Sequence, residues 1–356
     1  MQPRTCRFLV TIGLAVLVIA FPVWAQHSVD PYKLRLLKLI TINIIIAEAV
    51  NLVNGISGQF SLGHQGFVLV GAYTYALLTV PIAAKARYWL YTPLIWPFNS
   101  IQVHFVPSLL CAGLAAGVVG FLVGIPAFRF IGDYLTIVTL AFGEIVLLLA
   151  ANLIPLTNGP IGIKGIPDRL NFVWIWALMI LTLIFVSRLA RSAFGRALKC
   201  IRRDERAAEV MGVSLFRHKI ITFSLGAAIA GIGGAAIASV FGNIDPAQFS
   251  SALTFQMLMI VVIGGLGSIA GAVIAAPLIT GFLEWARIFD AGAQIGSIKL
   301  PSLPGLRMAI LSVLLILVMT YSRGGLLGTR ELSWDSLAAA ANRVRARLRG
   351  SSPTVT

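Results

Sequence analysis

Apolar residues run along this chain in long unbroken stretches, not at alternate positions or on one helical face. Phe8–Trp24, Leu36–Asn54, His64–Val80, Phe105–Ala127, Asp133–Leu153, Phe172–Leu189, Ile220–Phe241 and Pro304–Tyr321 each come close to the ~20 residues that a helix needs to cross a bilayer. Runs apolar on every side predict helices with no solvent face. Ala252–Ala286 is too long for one comfortable span and carries Gly264-Gly265-Leu266-Gly267-Ser268 in its middle. It reads as two helices, one ending near Gly265 and one starting near Ile269. The pattern predicts an all-α polytopic membrane protein with about ten transmembrane helices. Phe8–Trp24, preceded by Arg4 and Arg7 and followed by Val23-Trp24-Ala25-Gln26, also fits a cleavable signal peptide. It is long for one, and a polytopic chain ordinarily keeps its first span, so it is read as a helix. Gly113, Gly117, Gly120 and Gly124 on the fourth helix, and Gly226, Gly231 and Gly234 on the seventh, predict close helix packing. Gly55–Gly63 reads as a tight polar turn.

The longest interruption is Arg188–Lys219, which holds nine of the 28 Lys and Arg residues. A segment this basic resists crossing a bilayer and marks its side as cytoplasmic. Within it Asp204 can cap a short helix, Glu205–Met211, that Gly212 would end in the left-handed conformation. Ala207, Ala208, Val210 and Met211 make part of its surface small and apolar, while Arg206 and Glu209 keep it wet. Such a helix suits a groove on a cytosolic partner, but on shape alone the plainer reading, a charged loop placed by topology, is favoured.

Charge decides the number of spans. Ten spans place both termini and the basic loop on one side, with 18 of the 28 basic residues there and 10 opposite. Reading 252–286 as one helix moves the six tail arginines outside and only Arg287, Lys299 and Arg307 inside, leaving 15 inside and 13 outside, a weaker fit to the positive-inside rule. Lys33, Arg35 and Lys38 fall on the wrong side either way, with only snorkelling at the interface to account for them.

Composition narrows the class further. With 58% hydrophobic and 12% charged residues, and a mean hydropathy of +0.90, the chain carries about half the charged fraction of a soluble protein. The net charge of +15 sits in basic residues that flank apolar spans, so it reads as topology and not as a nucleic-acid surface. Cys6, Cys111 and Cys200 are isolated, without disulfide or metal spacing. Gly265–Ala270 matches a dinucleotide fingerprint by letter only, since no βαβ unit surrounds it. No phosphate-binding loop, zinc motif or nucleophile elbow occurs, so no catalytic residue, cofactor or metal is expected.

Charge inside the spans is the sharper signal. Glu48 lies within the second helix and Glu144 within the fifth. A carboxylate at membrane depth costs at least a few kcal/mol, so such residues face a bundle interior or a watery path. Glu144 reads equally as a path residue or as a hydrogen-bonded packing residue. Asn43, Asn51, Gln59 and His64 share that region and read first as interhelical hydrogen-bonding groups. His64, beside the glycine turn, reads as a donor that stabilises the turn in preference to a proton carrier.

Four stretches together carry a resemblance. They are SGQFSLGHQGFVLVGAYTYALL (57–78); GDYLTIVTLAFGEI (132–145) with NGPIGIKGIP (158–167); GRALKCIRRDERAAEVMGVSLFRHKIITFSLGAAIAGIGGA (195–235); and VVIGGLGSIAGAVIAA (261–276) with SRGGLLG (322–328). In this order they resemble the membrane-subunit family of branched-chain amino acid ABC importers over most of residues 36–328. The resemblance implies a type II ABC importer permease-like fold over 36–328. A transmembrane helix and linker (1–35) precede it and a basic cytoplasmic tail (329–356) follows. It implies a subunit without catalytic residues in a bacterial inner membrane, moving branched-chain or other hydrophobic amino acids. Its expected partners are a second homologous permease subunit, two cytosolic ATP-binding subunits, an extracytoplasmic solute-binding protein and membrane lipid, with no nucleic acid. Glu205, Ala207, Ala208, Glu209 and Gly212 match the family's ATPase-coupling motif, which turns the reading of the basic loop toward coupling. Glu48, Gln59, His64 and Glu144 are the candidates for the translocation path. Glu48 departs from the family, where a small or uncharged residue is more usual. Importers of urea or short amides share this build, and a stand-alone ion-coupled transporter using Glu144 is the reading from a different class.

Overall fold

The computed structural model describes residues 20–89, 93–129 and 134–291, with scattered positions from 294 to 326. Most of the expected spans Phe8–Trp24 and Pro304–Tyr321, and all of the tail 329–356, lie outside the described residues. The chain is predominantly helical. α1 (Pro31–Val50) runs without a break into a π-turn, Asn51–Ile56, and after an irregular segment α2 (His64–Thr79) begins. α3 (Ile82–Tyr88) bends away from α2 by 115°. Then follow α4 (Phe105–Ala127), α5 (Tyr134–Asn152) and α6 (Phe172–Arg191). The basic loop folds as α7 (Ala193–Arg203) and α8 (Glu205–Val210), ahead of α9 (Leu215–Phe241), α10 (Ser251–Gly264) and α11 (Ile269–Ala291). Among the described residues seven helices are long and apolar enough to cross a membrane, or eight if α2 and α3 form one span.

These eight coincide with the second to ninth helices expected from the apolar runs. The long run 252–286 is indeed two helices, and the fingerprint-like Gly265–Ala270 is the turn between them. Gly265 (φ 110°) and Gly267 (φ 88°) take backbone angles there that favour glycine. Two boundaries differ from expectation. α9 starts at Leu215, not Ile220, so Arg217, His218 and Lys219 are helical and not loop residues. α1 starts at Pro31, a residue suited to the first helical position, and not at Leu36.

That second shift explains the misplaced cations. Lys33 pairs with Asp30 at 3.2 Å, the Arg35 guanidinium lies 5.2 Å from the centre of the Phe241 ring, and Lys38 reaches Asp168 at 3.1 Å. Each cation has a specific partner, and Asp168 comes from a segment 130 residues away.

α1 occupies the centre: 78% of its most apolar stretch is buried, against 28% in each of α5 and α6. The core is built from Ile45, Ile46, Leu52, Val53, Tyr75, Phe223 and Ala230, all at or near zero exposure. α9 packs most closely on α4 and α2. As the glycine spacing predicted, small residues line both seams. Added methyl groups at Gly120 and Gly231 would strike Ala227 and Ala116, and one at Gly234 would strike the Val68 carbonyl. Close backbone approach of this kind supplies dispersion contacts where lipid gives helices no hydrophobic reason to associate. A short antiparallel pairing of Ile163–Lys164 with Asn243–Ile244 ties the segment before α6 to the end of α9.

Candidate functional site

The polar groups inside the bundle gather where α1 loses its regular helix. Asn51 opens the π-turn. Its amide donates to Glu48 Oε2 (3.3 Å) and its Oδ1 accepts from the Gly267 backbone N–H (2.8 Å). An added methyl at Gly55 would collide with Asn51 and the Gly267 backbone. The π-turn and the α10–α11 turn therefore touch backbone to backbone, with one asparagine side chain stitching them. Glu48 is fully buried, and its carboxylate lies within this stitch. Asn43, seen from sequence as an interhelical bonding group, donates to Thr280 of α11 at 2.8 Å.

After the π-turn the chain is held by side chains because its backbone has left the helix. Asn54 bonds both the N–H and the C=O of Ser61, each at 3.1 Å. Thr136 and Thr139 of α5 bond the Phe60 carbonyl (2.9 Å) and the Leu62 N–H (3.2 Å). Gln59 is buried, and neither of its side-chain amide atoms has a hydrogen-bond partner among the described residues. His64 corrects its expectation as a turn donor. It is buried with both ring nitrogens unbonded among the described residues, edge-on to Phe67 (6.0 Å) and Phe223 (6.4 Å). The ring is part of an aromatic cluster because Phe67 is three residues on, on the same helical face.

Glu144 sits midway along α5, half-buried, and accepts from the Gln65 side chain at 3.5 Å. Gln65 is fixed in turn by Thr254 of α10, whose hydroxyl donates to the Gln65 carbonyl oxygen and accepts from its backbone N–H (3.1 Å). Glu144, Gln65 and Thr254 thus link three helices through one polar relay, placed where Gly143 lets the Gln65 amide approach α5. The residues around Glu144 on the outer face, Ile137, Ile145 and Leu148, are exposed on this chain. Gln65 and Thr254 were not singled out from sequence. Gln65 follows His64 directly, but nothing local reveals that its partner lies 189 residues away.

The short basic-loop helix has the expected ends. Asp204 Oδ1 accepts from the Ala207 N–H (3.1 Å), and Gly212 takes φ 81° just past the C-terminus. Lys219 bonds Glu205 at 2.6 Å, and the Val213 N–H returns to the Ala208 carbonyl at 3.1 Å, so α8 is clamped to the base of α9. Phe194 stacks on His218 at 5.0 Å and holds α7 against the same base. The faces divide differently from the sequence expectation. Ala208 is 3% exposed and packs into the chain itself, whereas Val210 and Met211 are 87% and 82% exposed. Glu205, Ala207 and Glu209 are exposed, and an added methyl on Gly212 would meet nothing within 4 Å. Two unpartnered apolar side chains at the tip of a rigid basic loop are an arrangement that a protein groove can cover.

Among the described residues no cluster of three His, Cys, Asp or Glu side chains could hold a metal, and Cys111 and Cys200 are free thiols. Asn43, Asn51, Asn54, Gln65 and Thr254 lie in hydrogen-bonded stitches, whereas Gln59 and His64 are buried without such a partner among the described residues.

Comparison with known proteins agrees in extent and in order. Residues 32–319 match the family described as "Branched-chain amino acid transport system / permease component". The high-affinity branched-chain amino acid transport system permease protein LivM of Escherichia coli K12 is 32% identical, the match spanning 89% of this chain and 74% of that one. A probable LivM of Methanocaldococcus jannaschii is 28% identical, over 63% of this chain and 69% of its own. The high-affinity branched-chain amino acid transport system permease protein LivH of Escherichia coli K12 is 24% identical, over 67% of this chain and 80% of that one. No solved structure matches. The chain is a multi-pass membrane protein and belongs to the branched-chain amino acid transport permease family.

Proposed function

We propose that this chain is a permease subunit of an ATP-driven importer that moves branched-chain amino acids across a bacterial inner membrane. The observation that carries the reading is the 32% identity to the E. coli LivM permease over 89% of this chain. In this reading it pairs with a second permease subunit of the LivH kind, binds two cytosolic ATP-binding subunits, and receives substrate from an extracytoplasmic binding protein. The exposed tip of α8, clamped by Asp204 and Lys219, is the seat for an ATP-binding subunit. Glu144 lies on the α5 face turned toward the companion subunit, which gives the half-buried carboxylate a polar neighbour where lipid would be costly. With α2 and α3 taken as one span, the eight spans so counted and the two apolar runs 8–24 and 304–321 make ten, with both termini cytoplasmic on the positive-inside count. A phosphatase reporter fused after Gly328 is therefore expected to be inactive; an active one refutes ten spans.

The function is tested by reconstitution. Leucine uptake into proteoliposomes should require the companion permease, the ATP-binding subunits, loaded binding protein and internal ATP. Uptake by this chain alone under a proton gradient would instead make it an ion-coupled carrier. Glu144→Gln keeps a hydrogen-bonding group beside Gln65 and is expected to hold uptake within about threefold. Glu144→Leu leaves the Gln65 amide without that acceptor, a loss of roughly 1–3 kcal/mol, and is expected to lower uptake about tenfold.

A further inference from the structure

Two glycines mark the places where the membrane core is not helical, and one side chain lies over both. Gly58 (φ 73°) ends the π-turn region, and Gly267 (φ 88°) sits in the α10–α11 turn. A methyl added at Gly58 would stand 2.6 Å from Arg202 Cγ, and one at Gly267 would stand 2.7 Å from Arg202 Nη1. Arg202 is the next-to-last residue of α7, whose inward face is Leu198 and Ile201, both buried. The aliphatic stem therefore crosses the first break and the guanidinium reaches the second. Below it the two breaks are already stitched by Asn51 and the Gly267 N–H.

The connections on either side give this contact a direction. Beyond α7, Asp204 starts α8 and Lys219 binds it to α9, so a push on α8 reaches α7 through one residue. Beyond Gly58, Asn54 and Ser61 carry the chain to Gln65, the centre of the polar relay with Glu144 and Thr254. A bland role exists for Arg202, as a cation complementing the C-terminal end of the α7 dipole, but Arg203 beside it serves that equally. The dipole needs only charge near the terminus; it does not require a side chain that touches two glycines from different helical breaks.

We propose that Arg202 is the positioning residue through which the basic loop moves both non-helical breaks, and with them the Glu144–Gln65–Thr254 relay. This rests on the reading that an ATP-binding subunit seats on the loop. Movement of that subunit shifts α7 as a unit, and Arg202 forces the π-turn and the α10–α11 turn to follow together. Glycine at both positions allows the side chain, which is otherwise exposed to solvent, to lie directly on the backbone of both breaks.

The test uses the complete four-component transporter in proteoliposomes, with Arg202→Ala and Arg202→Lys. Arg202→Ala is expected to keep the ATP-binding subunits bound and basal ATP hydrolysis within about twofold. Leucine uptake and the stimulation of hydrolysis by loaded binding protein should each fall about tenfold or more. Lysine keeps charge and stem but not the fork over Gly267, so about a two- to fivefold loss is expected. Uptake by Arg202→Ala within twofold of the unmodified protein overturns the proposal. So does loss of the bound ATP-binding subunits, which would make Arg202 a folding or docking residue. Gly58→Ala supplies an independent reading. Its φ of 73° strains alanine in either background, so some loss is expected in both. The part that comes from the clash with Arg202 Cγ should vanish in the Arg202→Ala background, leaving the double variant less impaired than the product of the two single losses; fully additive losses overturn the proposal. The α8 seat is judged separately, by retention of the ATP-binding subunits in the Val210 and Met211 variants. If those variants retain the subunits and Arg202→Ala is still uncoupled, the seat is wrong and Arg202 stands.

Discussion

Replacing Val210 and Met211 together with aspartate is expected to abolish ATP-driven uptake while the subunit still inserts and accumulates. Both side chains are almost fully exposed on the isolated chain, so the substitutions remove no contact within it. In a complex they are the apolar part of the α8 tip, and burying each stabilises an interface by about 1.5–3 kcal/mol. Aspartate forfeits that gain and adds a charge that must be desolvated or left out of the groove, so the combined loss exceeds about 4 kcal/mol, roughly a thousandfold in affinity. The measurement is co-purification of the ATP-binding subunits with tagged permease, read beside uptake and membrane abundance. Full retention of the subunits and full uptake would remove α8 as the contact. The control is Phe241→Asp at the opposite end of α9, which is less exposed and also gives up its contact with the Arg35 guanidinium, so it carries at least as large a cost within the chain. That variant should leave the subunits bound.

The family motif alone directs attention elsewhere. Of its five positions two of the small ones, Ala208 and Gly212, invite substitution by a bulky residue. The structure gives different reasons for their size. Ala208 is buried in this chain, so Ala208→Trp would displace the loop from α9 whether or not a partner binds. At Gly212 an added side chain has open space, and the penalty of Gly212→Val comes from φ 81°, of the order of 1–3 kcal/mol. Variants at these two positions test the shape of the loop; Val210 and Met211 test its partner.

What the sequence disclosed and what it concealed follow from the range of the interactions. Apolar run length and the glycines at 264–267 were enough to divide 252–286 into two helices, because the signals are local and the bilayer sets the length. Asp204 and Gly212 were legible as caps for the same reason. The glycine-lined seam between α4 and α9 was legible because small residues at intramembrane positions have few other uses. By contrast, Lys38 looked misplaced because its partner Asp168 lies far along the chain, and no pattern around Lys38 announces it. The π-turn at Asn51 was hidden because its stitch is to Gly267, not to its own helix. His64 was misread since a histidine beside a glycine turn suggests a donor, while the Phe223 ring that actually meets it arrives from α9. Glu144 was legible as a costly carboxylate but its neighbours were not, which is why Gln65 and Thr254 entered only with the fold.

The second large effect belongs to the seam itself. Gly231 of α9 is the point where three helices come closest. A methyl there would strike Ala116 and stand 2.9 Å from the Ala112 carbonyl oxygen of α4, while Gly71 of α2 presses on the Gly231 backbone from the other side. Gly231→Leu cannot be absorbed by a rotamer change, because two of the three obstacles are backbone. Overpacking a core typically costs about 1–3 kcal/mol, and here two helices must separate from α9 along a seam whose contacts are the main attraction available in lipid. The expected result is loss of the folded subunit: membrane abundance below about a tenth of normal, with the remainder aggregating on detergent extraction. Gly281→Leu in α11 is the control, since an added methyl there meets nothing within 4 Å. It should leave abundance and melting temperature within experimental error. The comparison is a fluorescence-detected melting series of detergent-solubilised subunit, with Gly231→Ala as an intermediate step that fills the site with one methyl. If Gly231→Leu melted together with Gly281→Leu, the α2–α4–α9 seam would not be the close-packed junction described, and the glycines would owe their place to something other than packing.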